Sequence, residues 1–188
     1  MTAPFTVHLM RHGATAFAGH LNGRSDVPVT PAGLASCVAA ATTLRFERVM
    51  SSDLARAHDC AVAVARTAKV PVSTDARWRE LDFGEWDACH PDALDPEQLA
   101  AFWADPEGAA PPGGERWSTL TARVSAALDS LPPGTLVLTH AGAIRAALAV
   151  ACGLDSRQVW MFDLPYAATV TLRRWPGATP VTQITALR

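Results

Sequence analysis

The sequence predicts an α/β protein, a three-layer α/β/α sandwich around a mostly parallel central sheet. Two observations carry that expectation. Short aliphatic and β-branched runs alternate with segments of helical length that begin on helix-start signals. The chain has 188 residues, 49% of them hydrophobic, which suits one domain with a sizeable core over 1–188.

Residues 5–10, FTVHLM, read as a first strand that stops at Arg11. A helix follows over 30–44, with Thr30 as N-cap and Pro31 at its first position. Residues 45–52 read as a second strand. The next helix spans 53–68, with Asp53 as the expected N-cap, and 70–74 is a third strand. The stretch 77–115 is rich in turn residues, aromatics and acids, with one short helix near 96–104. A helix over 115–131 leads to a fourth strand, GTLVLTH at 134–140, and another helix at 141–153. Two alternating segments, 167–175 and 181–187, read as a closing pair of strands whose edge offers a surface for a homodimer.

In a sheet of this kind, ligands bind beyond the carboxyl ends of the strands. Arg11 and His12 follow the first strand, Ser51 to Arg56 the second, and His140 ends the fourth. Three such ends at one edge would make a site. Arg56 falls in the first turn of a helix, where a basic side chain opposes the dipole unless an anion is bound there. Arg11, Arg56 and Arg145 offer forked donors that match phosphate oxygens. Imidazole titrates near neutrality, so a histidine can attack a phosphoryl group as its free base. The departing oxygen needs a proton, and RELDFGEWD at 79–87 offers Glu80, Asp82, Glu85 and Asp87.

Other chemistries fit less well. CAVAVAR at 60–66 has the Cys-x5-Arg spacing of cysteine phosphatases, but no glycine and a helical context. His8 and His12 are four apart like a zinc pair, yet lie on a strand with no third ligand. DVPVT at 26–30 lacks the second aspartate of an aspartyl-phosphate enzyme, and no P-loop, dinucleotide fingerprint or nucleophile elbow occurs. The net charge of −2 gives no footprint for nucleic acid or a membrane surface. No apolar run is long enough to span a bilayer, and MTAPFTVHLM does not read as a signal peptide. Cys37, Cys60, Cys89 and Cys152 show no CxxC pairing and read as free thiols, consistent with a cytoplasmic location.

LMRHGAT at 9–15 resembles the signature of the histidine phosphatase superfamily, which includes the cofactor-dependent phosphoglycerate mutases. GRSDVPVTPAG (23–33), SSDLARAHDCA (51–61), RELDFGEWDA (79–88) and LTHAGAIRA (138–146) resemble its later segments in the same order. The resemblance implies a phosphoglycerate mutase-like fold and a phosphohistidine on His12, with no metal or other cofactor. It implies that Glu80 is the proton donor and His140 the second active-site histidine. Arg11 and Arg56 would bind phosphate, Gly13 would let substrate approach the backbone, and Thr15, Asn22 and Ala141 would complete the phosphate pocket. Ala14 stands where a glutamate is common, and Ala18 about where many members carry an asparagine. FWADPEGAAPPGGE (102–115) and LPYAATVTL (164–172) are similar to segments of α-ribazole phosphatases, with 86–115 a cap-like insertion. The implied substrate is then a small phosphomonoester, α-ribazole 5′-phosphate of the cobalamin pathway. Phe102, Trp103 and Trp117 would either stack on its flat base or simply pack the cap. A mutase, a broad-specificity phosphatase and a non-catalytic phosphate-binding module are the alternatives.

Overall fold

The computed structural model describes residues 3–177 and 180–188. Six strands form one sheet: β1 (Phe5–Arg11), β2 (Arg48–Ser51), β3 (Val72–Thr74), β4 (Thr135–Thr139), β5 (Thr169–Trp175) and β6 (Val181–Leu187). Their order is β3-β2-β4-β1-β5-β6. The first four are mutually parallel, and β5 and β6 complete the sheet antiparallel. β1 and β4 are neighbours in register, Arg11 opposite Thr139. The two sequence segments that end in histidine therefore finish side by side.

The described residues form five α-helices, α1 (Pro31–Ala41), α2 (Ala55–Ala68), α3 (Pro96–Ala104), α4 (Trp117–Asp129) and α5 (Ala141–Cys152), of which α1, α2, α4 and α5 pack on the faces of the sheet. Strand alternation divides the core in two. Leu136, Leu138 and Met10 pack with Cys37, Cys60, Ala61 and Val64 of α1 and α2. Val7, Leu9 and Val137 pack on the other side with Leu120, Val124, Ile144 and Leu148 of α4 and α5. The three-layer sandwich is thus present. Two small-residue helices, AALAVAC in α5 and ARAHDCAVAVA in α2, come close to the sheet because alanine presents little bulk.

α1 starts as its sequence suggests: the Thr30 hydroxyl accepts from Gly33 N at 3.0 Å, with Pro31 at the first turn. α2 does not. Its N-cap is Leu54, and Asp26 of the preceding loop accepts from Ala55 N at 2.6 Å. Asp53 is instead held by Arg79, through bonds of 2.7 and 2.5 Å. A carboxylate distant in sequence took the helix terminus, and a fork-shaped guanidinium took the local one. The helices around 30–44 and 115–131 are also shorter than expected, each ending where its first or last turn gives way to loop. All four cysteines are free thiols. Among the described residues, no helix is long and apolar enough to cross a membrane.

Candidate active site

The carboxyl ends of β1 and β4 open into a cavity of about 150 Å³. Arg11, His12, Asn22, Glu80, Ala141, Gly142 and Arg145 line its floor and walls; Phe102, Trp103, Trp117, Trp160 and Tyr166 close it from above. A wider groove of about 500 Å³ lies at the opposite end of the sheet, bordered by Val38, Leu44, Phe46 and Gly134. No histidine lines it, and it gathers none of the chemistry found at the strand ends.

His12 is fixed on three sides. Its backbone N–H donates to Thr139 O at 2.8 Å, and its carbonyl accepts from Ala167 N at 3.3 Å. Its Nδ1 lies 2.8 Å from Gly13 O. A carbonyl only accepts, so Nδ1 carries the proton and Nε2 keeps its lone pair. Nε2 has no hydrogen-bond partner among the described residues. Burial, then the charges of Arg56 and Arg11, hold the His12 pKa down at about 3. The imidazole is therefore neutral across the physiological range. His140 lies beside it, ring centroids 5.2 Å apart. It is fully buried, its Nε2 is 2.7 Å from the Ser52 hydroxyl, and its pKa is also pushed well down, first by burial and then by Arg56.

Three guanidiniums surround the pair. Arg11 donates to Leu164 O at 2.7 Å and lies 4.1 Å from the centroid of the Tyr166 ring. Arg56 is completely buried; it donates to Ser25 O at 2.8 Å and to Asn22 O and Gly23 O at 2.7 Å each. Arg145 donates to Phe162 O at 3.2 Å and stacks 4.2 Å from the Trp160 centroid. The Nε of each is buried without a partner, and none of the three is ion-paired among the described residues. Buried donors left open beside a neutral imidazole make a receptor for an anion. Asp87 completes the loop that Arg56 holds: it accepts from Gly23 N, Ser25 N and the Ser25 hydroxyl at 2.7, 2.7 and 2.9 Å.

Glu80 projects toward the start of α5. Its Oε2 accepts from Gly142 N at 3.1 Å and its Oε1 from Leu81 N at 2.9 Å. A Cβ at position 142 would fall 2.1 Å from Glu80 Oε1, so the glycine there makes room for the carboxylate. Asp82 is paired with Arg24 at 2.7 Å and Asp87 is committed to the loop, which leaves Glu80 as the acid that lines the cavity.

Not every expected residue is used as the sequence suggested. Gly13 is required by packing: an added Cβ would sit 2.1 Å from Gly33 O of α1. The close approach seen here is that of helix α1. Thr15 is buried beneath the loop, bridged to Val29 with its hydroxyl unpartnered, and does not line the cavity. Asn22 and Ala141 do line it; the Asn22 amide donates to Phe17 O at 2.8 Å. Phe102, 2% exposed, packs edge-on to Phe83 and Trp86. Trp117 packs on the same core. Trp103, 38% exposed, packs against Phe102 at 4.7 Å and meets Trp160 edge-on at 4.9 Å. Trp160 and Tyr166 were not singled out from the sequence. Both lie between α5 and β5, Trp160 in a single short 3-10 helix (Gln158–Met161) and Tyr166 in irregular chain, where no periodic pattern marks a residue as facing a cavity. Tyr166 meets Arg11 at the cavity, and the residue after it, Ala167, adopts a left-handed conformation, φ 61°, uncommon outside glycine.

Comparison with known proteins places the chain in a family. The sequence profile of the histidine phosphatase superfamily (branch 1) matches residues 7–186. A probable phosphoglycerate mutase GpmB of Yersinia pestis is 34% identical over 163 residues, 80% of this chain and 76% of the relative. A mycobacterial glucosyl-3-phosphoglycerate phosphatase solved with VO3 superposes with a TM-score of 0.84 at 25% identity, over 97% of this chain and 98% of its own. A putative alpha-ribazole-5′-P phosphatase of Escherichia coli K-12 shares the fold, with a TM-score of 0.80 at 23% identity over 96% and 95% of the two chains.

Proposed function

The chain belongs to the histidine phosphatase superfamily, and on that premise we propose that it is a metal-independent phosphomonoesterase that works through a phosphohistidine on His12 and acts in the cytoplasm on α-ribazole 5′-phosphate. The observation that carries the reaction is the state of His12: neutral, tautomerically fixed by Gly13 O, with Nε2 unpartnered beside guanidiniums that have donors to spare.

Arg11 and Arg56 offer charge-assisted donors to the phosphoryl oxygens, with His140 at their side and Asn22 and Ala141 at the rim. Gly13 and Thr15 support this pocket from beneath. The Nε2 lone pair attacks phosphorus, a P–N bond forms, and the bond from phosphorus to the alkoxy oxygen breaks. Glu80, as the acid, delivers a proton to that oxygen and the alcohol leaves. Water then attacks the phosphohistidine, Glu80 takes the proton of the water, and orthophosphate departs as the P–N bond breaks. Residues 86–115 serve as a cap over the site, and the part-exposed Trp103, which lines the cavity with Trp160 beside it, suits a flat base in the leaving group.

A second reading is supported by Arg145. An unpaired guanidinium on the cavity wall suits a carboxylate in the leaving group, as a phosphorylated glycerate would carry, in line with the mutase and the glucosyl-3-phosphoglycerate phosphatase among its relatives. Phosphate release should be followed in EDTA from α-ribazole 5′-phosphate, 3-phosphoglycerate and p-nitrophenyl phosphate in parallel. Efficient release from the ribazole ester is expected. Turnover of the aryl ester with the ribazole ester untouched would overturn the substrate and leave the reaction, and loss of all turnover in EDTA would overturn metal independence.

A further inference from the structure

Arg123, in the middle of α4, is outside the motifs that mark the site. All five of its donors are nevertheless used. Nε and Nη2 donate to Glu115 Oε1 and Oε2, both at 2.8 Å. Nη1 donates to Arg77 O at 2.8 Å and Arg79 O at 2.7 Å, and Nη2 also donates to Glu80 O at 2.8 Å. The carbonyl between them, Trp78 O, accepts from the Thr139 hydroxyl at 2.6 Å. Every carbonyl from residue 77 to residue 80 is thus held by a side chain, and three of the four by one guanidinium. This contrasts with Arg11, Arg56 and Arg145, each of which has a buried donor to spare.

We infer that Arg123 and Glu115 are positioning residues for the proton donor: together they fix the backbone from which Glu80 reaches the cavity. Glu115 adds the second half of the clamp. Its side chain is 8% exposed and its Oε2 accepts from Asp82 N at 3.3 Å, while its own N–H donates to Asp82 O at 2.8 Å. The segment 77–82 is therefore gripped on both sides of Glu80. Residue 115 is also where the 86–115 segment rejoins α4, so the clamp ties the end of the cavity cover to the acid inside it. The placement matters because, among the described residues, Glu80 is held at its tip by just two backbone N–H groups, Leu81 and Gly142, and the second of these belongs to a different element. If the 77–80 backbone slides, the carboxylate leaves its position relative to α5, and with it the departing oxygen. Lysine cannot reproduce the clamp, since one ammonium is a single point with three donors and cannot bridge a carboxylate and three divergent carbonyls.

The inference rests on Glu80 acting as the acid, and leaving-group dependence separates the two claims. Glycerol phosphate leaves as a poor alkoxide and needs the proton; p-nitrophenolate leaves without it. In purified full-length protein, Arg123→Lys is expected to lower kcat/KM for glycerol phosphate about 100-fold, the scale of a 1 Å misplacement. The same variant should change kcat/KM for p-nitrophenyl phosphate less than about 3-fold, since that ratio reports the steps up to phosphohistidine formation and leaves out the later one in which Glu80 takes the proton of water. Glu80→Gln should show the same discrimination. The double variant should be no slower on glycerol phosphate than Glu80→Gln alone, because a displaced acid and an absent one are equivalent. Equal slowing of both substrates by Arg123→Lys, or multiplicative losses in the double variant, would overturn the clamp. A Glu80→Gln variant that does not discriminate between the substrates would overturn the acid, and the clamp with it. Should Arg123→Lys not fold, as judged by thermal melting, Glu115→Gln removes one half of the clamp and is read on the same pair of substrates, with the same discrimination expected and its absence counting against the proposal.

Discussion

The floor of the cavity hangs from strand ends, while its roof is laid by loops and one short helix. Of the floor group His12 lines the cavity, while His140 and Arg56 are wholly buried and do not line it; the three sit within a residue or a few of β1, β4 and β2. Parallel pairing fixes their spacing, since a strand that slips by one residue would turn its whole apolar set to the wrong face. The roof residues Trp103, Trp160 and Tyr166 come from α3 and from the chain between α5 and β5, and Trp103 keeps a third of its surface open. Floor positions are bound by backbone pairing and buried hydrogen bonds; roof positions are bound by ring contacts. The difference suggests a division of labour, with the reaction set by the rigid part and the choice of leaving group by the adaptable one.

The largest effect should come from the floor. His12→Ala removes the only group placed to form the P–N bond, and turnover of every phosphomonoester is expected to fall by more than about 10⁴-fold, the scale seen on losing a nucleophile. Trapping with radiolabelled substrate should yield no phosphoprotein. A variant that still turns over normally would end the phosphohistidine mechanism and the division of labour with it.

Acid should next separate the two regions. His12, His140 and His8 all have pKa values lowered chiefly by burial, that of His12 to about 3. Unfolding returns each toward about 6.5, so between the two values the unfolded chain binds protons that the folded one refuses. The stability these groups contribute is therefore complete above about pH 6.5 and is lost as pH falls. The loss runs at about 1.4 kcal/mol per pH unit for each histidine that remains unprotonated in the fold. Melting curves from pH 7.5 to 4.5 should show a steadily falling Tm, and His8→Asn, which leaves the catalytic pair untouched, should flatten the slope. A Tm independent of pH across that range would mean the floor is more open to water than its burial indicates.

The smallest expected effect belongs to the roof. Trp103→Ala removes one aromatic face, about 1 kcal/mol of stacking. KM for an ester with a flat base should rise about 5-fold while kcat stays within about 2-fold, since binding common to ground and transition states is lost. An equal loss with p-nitrophenyl phosphate and glycerol phosphate would show the tryptophan to be structural, as Phe102 is. A fall in kcat alone would show that the roof takes part in the chemistry.

The floor was largely legible in the chain because it is written in local signals. A short apolar strand that ends in Arg-His-Gly, a second that ends in Thr-His, and Arg56 at a helix start are each visible within a few residues, and strand alternation brings them to one edge. Even there, roles depended on contacts the chain does not print. Gly13 serves α1, Thr15 stays beneath the loop, and Asp53 gave up its helix terminus to Asp26. The roof and the supports were not legible. Trp160, Tyr166, Glu115 and Arg123 lie in a short 3-10 helix, in irregular chain or on a helix whose face the sequence marks only as polar, Asp87 showed only as one of four acids, and each acts through a partner more than seven residues away.

By itself the sequence determined the elements, their alternation, the edge of the sheet that bears the chemistry, and the residue types available there. Periodicity and capping act between near neighbours, so they can be read along the chain. The tertiary structure alone decided which nitrogen of His12 keeps its lone pair, how Glu80 is held against α5, and which arginines are left with open donors. Those outcomes are set by burial and by hydrogen-bond partners brought together from distant segments, where a single carbonyl or carboxylate settles the state of a side chain that its own neighbours leave open.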